Sequence, residues 1–165
     1  MRKLVLALVL SCSLPGCVLQ GTREVGTPAD ASPGAVEFRM AGPNDAAIIV
    51  PVKINGRGPY DFVLDTGATF TCLDDEFAAE LKLPEWKGSF DTVVVGPGGG
   101  GIKLLKVETL EVGNAKATDL TACSADLNRL APPGFGIKGL VGLNFLKSYR
   151  ITIDFQKKFL KLEKP

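Results

Sequence analysis

The chain has 165 residues, with 19 Lys and Arg against 18 Asp and Glu, a formal net charge of +1. That balance excludes the basic footprint of a nucleic-acid binder and the acidic excess of a solvating tail. There is no histidine, which removes Ser-His-Asp triads, Cys-His pairs and the commonest metal ligand together. The apolar share, 45%, is enough for one packed core at this length.

Met1-Arg2-Lys3 and the run from Leu4 to Leu10 form a positive n-region and an apolar h-region too short to cross a bilayer. Leu14-Pro15-Gly16-Cys17 resembles the lipobox of bacterial lipoproteins, in which the Cys becomes the acylated first residue. Val9-Leu10-Ser11-Cys12 is a competing candidate. The expectation is a lipoprotein signal peptide over residues 1–16 and a lipid on Cys17. The protein would then be exported to a bacterial cell envelope and anchored there. Val18, rather than Asp, follows Cys17, which suggests the outer membrane, facing the periplasm. Residues 17–35 carry Gly, Thr, Pro, Ser and Ala with few large apolar groups and read as a flexible tether. The folded domain is expected over residues 36–165.

Within it, Val36 to Met40 alternates like a first strand. Ala46 to Ile54, rich in Ile and Val, reads as a second. Asn55 to Pro59 is a turn, and Tyr60 to Leu64 returns as the other half of a hairpin. Thr69 to Leu73 reads as a short strand. Asp74-Asp75-Glu76 then opens a helix by complementing its dipole; Phe77, Ala78 and Leu81 line one face, and Pro84 ends it. Ser89 to Val95 is strand-like and runs into Gly96-Pro97-Gly98-Gly99-Gly100-Gly101. Ile102 to Val112 fits neither period cleanly, although Val107, Thr109 and Val112 favour a strand. Ala115 to Ser124 looks like its partner. Leu140-Val141-Gly142 leads into a short helix through Tyr149, and Arg150 to Phe155 with Phe159 to Leu162 makes a last hairpin. Many short strands with little helix predict a mainly β barrel or sandwich.

The chemistry centres on Phe62-Val63-Leu64-Asp65-Thr66-Gly67-Ala68. An acid closing an apolar strand sits in poor solvent, which disfavours its ionised form; a carboxyl poised between acid and base suits proton transfer. Gly67 permits a tight turn that aims backbone donors at the carboxylate. An Asp at a strand end also serves as a plain turn cap. Asp74, Asp75 and Glu76 point different ways on a helix and do not converge on a metal, so capping is their expected role. Asp154 lacks a following Thr-Gly and reads as a strand-end or turn acid. The glycine run formally matches a dinucleotide-binding G-x-G-x-x-G, but Ile102 to Val112 shows no helix cap or amphipathic stripe to follow it. A hairpin tip free to open is the better reading of Gly98, Gly99 and Gly100. Cys72 and Cys123 are either bridged or two buried thiols, and both readings stand.

Val63-Leu64-Asp65-Thr66-Gly67-Ala68, the glycine hairpin and Gly139-Leu140-Val141-Gly142-Leu143-Asn144-Phe145-Leu146 together resemble the retropepsin-like, single-domain aspartic proteases. The resemblance is to their bacterial branch more than to the two-lobed pepsins, and it runs from about Val36 to Leu162. It implies a closed, mostly β barrel with one or two short helices, in which Leu140-Val141-Gly142 packs beside the Asp-Thr-Gly turn. It further implies that Asp65 is the catalytic carboxylate and that the Thr66 hydroxyl cross-links the two active-site loops. Gly67 would admit the backbone close to the carboxylate, and Gly98 to Gly100 would form a flap over a peptide. No cofactor or metal is implied.

The mechanism of such proteases needs two carboxyls sharing one proton, and this chain has a single Asp-Thr-Gly. The expected assembly is therefore a symmetric homodimer acting on peptide or protein substrates as an aspartic endopeptidase. Ala68 offers no hydroxyl to favour the charged carboxylate, so a milder pH optimum than pepsin-like acidity is expected. The alternative is a catalytically inactive, peptide-binding envelope lipoprotein with the same fold.

Overall fold

The computed structural model describes residues 34–87, 102–127 and 136–165. In chain order the elements are β1 Ala35–Glu37, β2 Arg39–Ala41, β3 Ala47–Ile54, β4 Arg57–Leu64, β5 Cys72–Asp74 and α1 Asp75–Leu81. There follow β6 Lys103–Val112, β7 Ala115–Ala125, β8 Gly139–Val141, α2 Leu143–Leu146, β9 Arg150–Asp154 and β10 Phe159–Glu163. One sheet runs β2-β3-β4-β8-β5-β7-β6, and β6 returns to β3 through Lys53↔Glu111 and Ile54↔Leu110. Strands β3, β4, β8, β5, β7 and β6 therefore close a six-stranded barrel, with β2 outside it. A separate sheet has the order β1-β10-β9. The fold is mainly β, closed, with two short helices, as expected.

Local chemistry explains most of these elements. Asn55 and Gly56 both take positive φ, 49° and 73°, the requirement of a two-residue turn that matches strand twist. The hairpin is consequently tighter than expected: β4 starts at Arg57, and the register shifts between Val52↔Tyr60 and Ile54↔Arg57. Gly58 takes φ 123° there, and a Cβ on it would meet the Val52 carbonyl oxygen at 2.8 Å. The Asp74 carboxylate accepts the Glu76 N–H at 3.2 Å, capping α1. The ambiguous stretch after Ile102 is one long strand, because Leu105, Val107, Leu110 and Val112 all turn into the core.

Three expectations are corrected. The first predicted strand is two: Phe38 breaks it, is buried, and donates its N–H to the Lys158 carbonyl, so β1 joins one sheet and β2 the other. Thr69 to Thr71 is loop, not strand, because its backbone bonds point at α2 and β7. The second helix is four residues long; beyond Lys147 the bonds span three residues, Ser148 N–H to Phe145 and Tyr149 N–H to Leu146.

Phe62, Phe77, Phe145, Leu73 and Val141 fill the barrel. Phe77 from α1 meets Tyr60 and Phe62 edge-on, with centroids 4.6 and 6.3 Å apart. Each buried Phe stabilises the fold by about 1.5–3 kcal/mol. This cluster lies under the end of β4, where the candidate chemistry sits.

Candidate active site

Strand β8 lies between β4 and β5, parallel to the first and antiparallel to the second. Its register, Phe62↔Gly139, Val63↔Leu140 and Leu64↔Val141, leads β4 straight into Asp65, whose N–H donates to the Val141 carbonyl at 3.0 Å. Gly139 and Gly142 allow this fit. A Cβ on Gly139 would run into the Phe62 ring and the Cys72 carbonyl, and one on Gly142 into the backbone of Phe70.

Asp65 is half-buried at the barrel's rim rather than enclosed. Its Oδ1 accepts the Gly67 N–H at 2.8 Å, and a Cβ on Gly67 would stand 3.2 Å from that oxygen. The Ala68 N–H closes the turn on the Asp65 carbonyl at 3.4 Å. A backbone donor so placed orients the carboxylate. Thr66 and Gly67 are exposed, and Ala68 is half-buried.

The rest of the loop is fastened to the start of α2. Leu143 N–H donates to the Ala68 carbonyl at 2.8 Å, and Asn144 N–H to the Thr69 carbonyl at 3.0 Å. Gly142 N–H donates to the Thr71 hydroxyl at 3.1 Å. Thr71 is fully buried, and its N–H donates to Asn144 Oδ1 at 2.8 Å. The Asn144 amide in turn donates to the Thr121 carbonyl on β7 at 2.7 Å. Cys123 N–H closes the circuit on the Thr71 carbonyl at 2.8 Å. Cys72 and Cys123 stand directly opposite on β5 and β7, with Cα atoms 4.4 Å apart, and are disulfide-bonded; the bridged alternative is the one found.

The structure thus brings Asp65, Thr66, Gly67 and Ala68 together with Leu140, Val141 and Gly142. Gly98, Gly99, Gly100 and Cys17 lie outside the described residues. Two contributors were not singled out by sequence, Thr71 and Asn144. The signal for Asn144 was present: a polar amide amid Leu143, Phe145 and Leu146 needs partners for its donors and its acceptor.

The sequence pattern of the family described as Aspartyl protease matches residues 50–145, a span that holds the whole loop and its α2 clamp. The chain belongs to the aspartyl protease family. Its fold is similar to the crystal structure of a retropepsin-like aspartic protease from Rickettsia conorii. That alignment has 20% identity and a TM-score of 0.51 over 78% of this chain and 90% of that one. The EIAV protease complexed with an inhibitor aligns at 20% identity over 61% of this chain and 84% of that one, with a TM-score of 0.42. The retroviral protease-like domain of Ddi1 from Leishmania major aligns at 14% identity over 70% and 87%, with a TM-score of 0.44. No curated protein matches the chain by sequence. Asp65 and its Thr66-Gly67 turn lie within the matched span.

Proposed function

We propose that the chain is an aspartic endopeptidase whose carboxyl dyad is assembled from Asp65 of two copies. The observation that carries this reading is the single Asp65-Thr66-Gly67 turn of an aspartyl protease chain, with its carboxylate set at the open rim of the barrel. Two carboxyls brought this close share one proton, because like charges at hydrogen-bond distance do not both ionise. The ionised carboxylate takes a proton from water as its oxygen attacks the peptide carbonyl carbon, and the protonated carboxyl donates to the carbonyl oxygen. Collapse of the tetrahedral species breaks the C–N bond, and the nitrogen leaves with a proton from the dyad. The proton of the pair belongs to neither Asp65 alone. Thr66 supports the pairing of the two loops, and Gly67 gives close backbone approach.

Residues 1–16 serve as the export signal, residues 17–35 as a tether, and Cys17 as the lipidated residue, placing the domain at the envelope membrane, where tethering raises the effective concentration for pairing. Loss of lipid labelling in Cys17→Ser, with labelling kept in Cys12→Ser, is the expected outcome. For the chemistry, cleavage of a peptide library is compared with that of Asp65→Asn beside sedimentation of both proteins. Unchanged cleavage by the variant overturns the enzyme reading and leaves the inactive peptide-binding alternative.

A further inference from the structure

Along Phe62, Val63, Leu64 and Asp65, the end of β4 alternates between two faces of the sheet. Phe62 belongs to the core cluster and Leu64 packs against it, so Val63 and Asp65 share the opposite face. The Asp65 N–H bond to the Val141 carbonyl continues the β4–β8 ladder and keeps that alternation. From Val63 the registers trace one row across that face: Val63↔Leu140, Leu140↔Cys72, Cys72↔Cys123 and Cys123↔Leu104. Residues directly opposite in neighbouring strands stand on the same face. None of these residues belongs to the core cluster, whereas Phe62, Val141, Leu73 and Ala122 beside them do. The Cys72–Cys123 disulfide therefore lies in an apolar row on the face of Asp65, not in the core of the barrel.

The bridge is also spliced into the clamp on the loop. Cys72 follows Thr71, whose N–H donates to Asn144 and whose hydroxyl accepts from Gly142. Cys123 donates its N–H to the Thr71 carbonyl at 2.8 Å, and Thr121 on the same strand accepts the Asn144 amide. Both ends of the bridge thus abut the hydrogen bonds that fix the loop. Cys72 and Cys123 are only 5% and 8% exposed, so opening the bridge leaves two thiols where close packing gives little room. The strand pairing holds their backbones opposite one another, and the groups around them must yield instead. Those groups are Leu140, on the face of Asp65, and the Thr71 clamp.

We propose that the Cys72–Cys123 disulfide is a redox-sensitive positioning element of the Asp65 site. Bridged, it holds the loop in place for cleavage; reduced, it lets the loop drift. This rests on the endopeptidase reading above and adds its regulation. The reductant is a dithiol. One of its thiolates attacks a bridge sulfur, the S–S bond breaks, and the other cysteine leaves as a thiolate and takes a proton. The second thiol of the reductant then attacks the mixed disulfide, freeing the remaining cysteine and closing the reductant into a disulfide.

The full chain is assayed oxidised, reduced with dithiothreitol, and reoxidised, on a peptide that the oxidised protein cuts from a library. The temperature is one at which melts show both forms folded. Reduction is expected to lower kcat reversibly by about tenfold to 10²-fold, the effect of a small misplacement of a catalytic group, with KM changed less. The double variant Cys72→Ala, Cys123→Ala should not respond to dithiothreitol. Equal kcat and KM in the two redox states, or a double variant that still responds, overturns the proposal and leaves the endopeptidase reading standing. Oxidised protein that cleaves no peptide overturns that reading. Amide exchange of the unmodified protein tests the coupling without activity, and serves also should the double variant fail to fold. Reduction should speed exchange at Gly67, Leu143 and Asn144 about tenfold or more while β10 keeps its protection. A uniform rise, or none, makes the bridge purely structural and overturns the proposal.

Discussion

Asn144 and Thr71 stand 73 residues apart in the chain, yet Asn144 Oδ1 accepts the Thr71 N–H at 2.8 Å while its amide donates to Thr121 at 2.7 Å. One side chain therefore joins the Asp65 loop, α2 and β7. Asn144→Ala strips a partner from two half-buried or buried backbone groups. The expected loss of stability is about 1–3 kcal/mol, measurable by urea unfolding. Because the variant loosens the loop without touching substrate, kcat should fall more than KM changes.

Gly142 lies where any Cβ would meet the Phe70 backbone. Backbone does not swing aside as the end of a flexible side chain does. Gly142→Ala should destabilise the fold by roughly 1–3 kcal/mol, the usual range for overpacking, and should displace the Thr71 hydroxyl from the Gly142 N–H. A thermal melt checks the first effect. Exchange at the Gly142 amide checks the second.

The Cys72–Cys123 bridge closes a separation of 51 residues. On the chain-entropy account, a loop of that size is worth about 4 kcal/mol. Reduction, or Cys72→Ala with Cys123→Ala, should lower Tm. The β5–β7 pairing should persist, because it is also held by backbone bonds such as Cys123 N–H to Thr71. Melts with and without a thiol reductant test this directly, and the double variant should be insensitive to the reductant.

Asp65→Asn keeps a side-chain oxygen for the Gly67 N–H, so the turn should survive with little change in stability. Cleavage should fall by at least about 10²–10⁴-fold, the usual contribution of a proton-transfer group. With Ala68 beside the carboxylate instead of a hydroxyl, any pH–rate profile of cleavage by the unmodified protein should peak above about pH 4, the region where ordinary carboxyls titrate. A maximum well below that pH contradicts the role given to Ala68.

The strand-rich class, the Asn55-Gly56 turn, the Asp74 cap and the turn role of Asp154 were legible because each rests on near neighbours in sequence. Asp154 accepts Lys157 N–H three residues on, and Asp74 accepts Glu76 N–H two residues on. Phe38 was misread for the opposite reason. Its alternating neighbours suit one strand, and only a distant acceptor, Lys158, shows that the chain changes sheets there.

The same division holds at the site. Sequence by itself determined that Asp65 ends an apolar strand on a glycine turn, that no histidine competes with it, and that one chain holds one such motif. Those facts depend on residue identity and order. Tertiary structure decided that β8 slides between β4 and β5, that Asn144 and Thr71 clamp the loop, and that Cys72 meets Cys123. These are long-range pairings, and no local pattern sets them, because they follow from how the closed barrel satisfies its buried backbone groups.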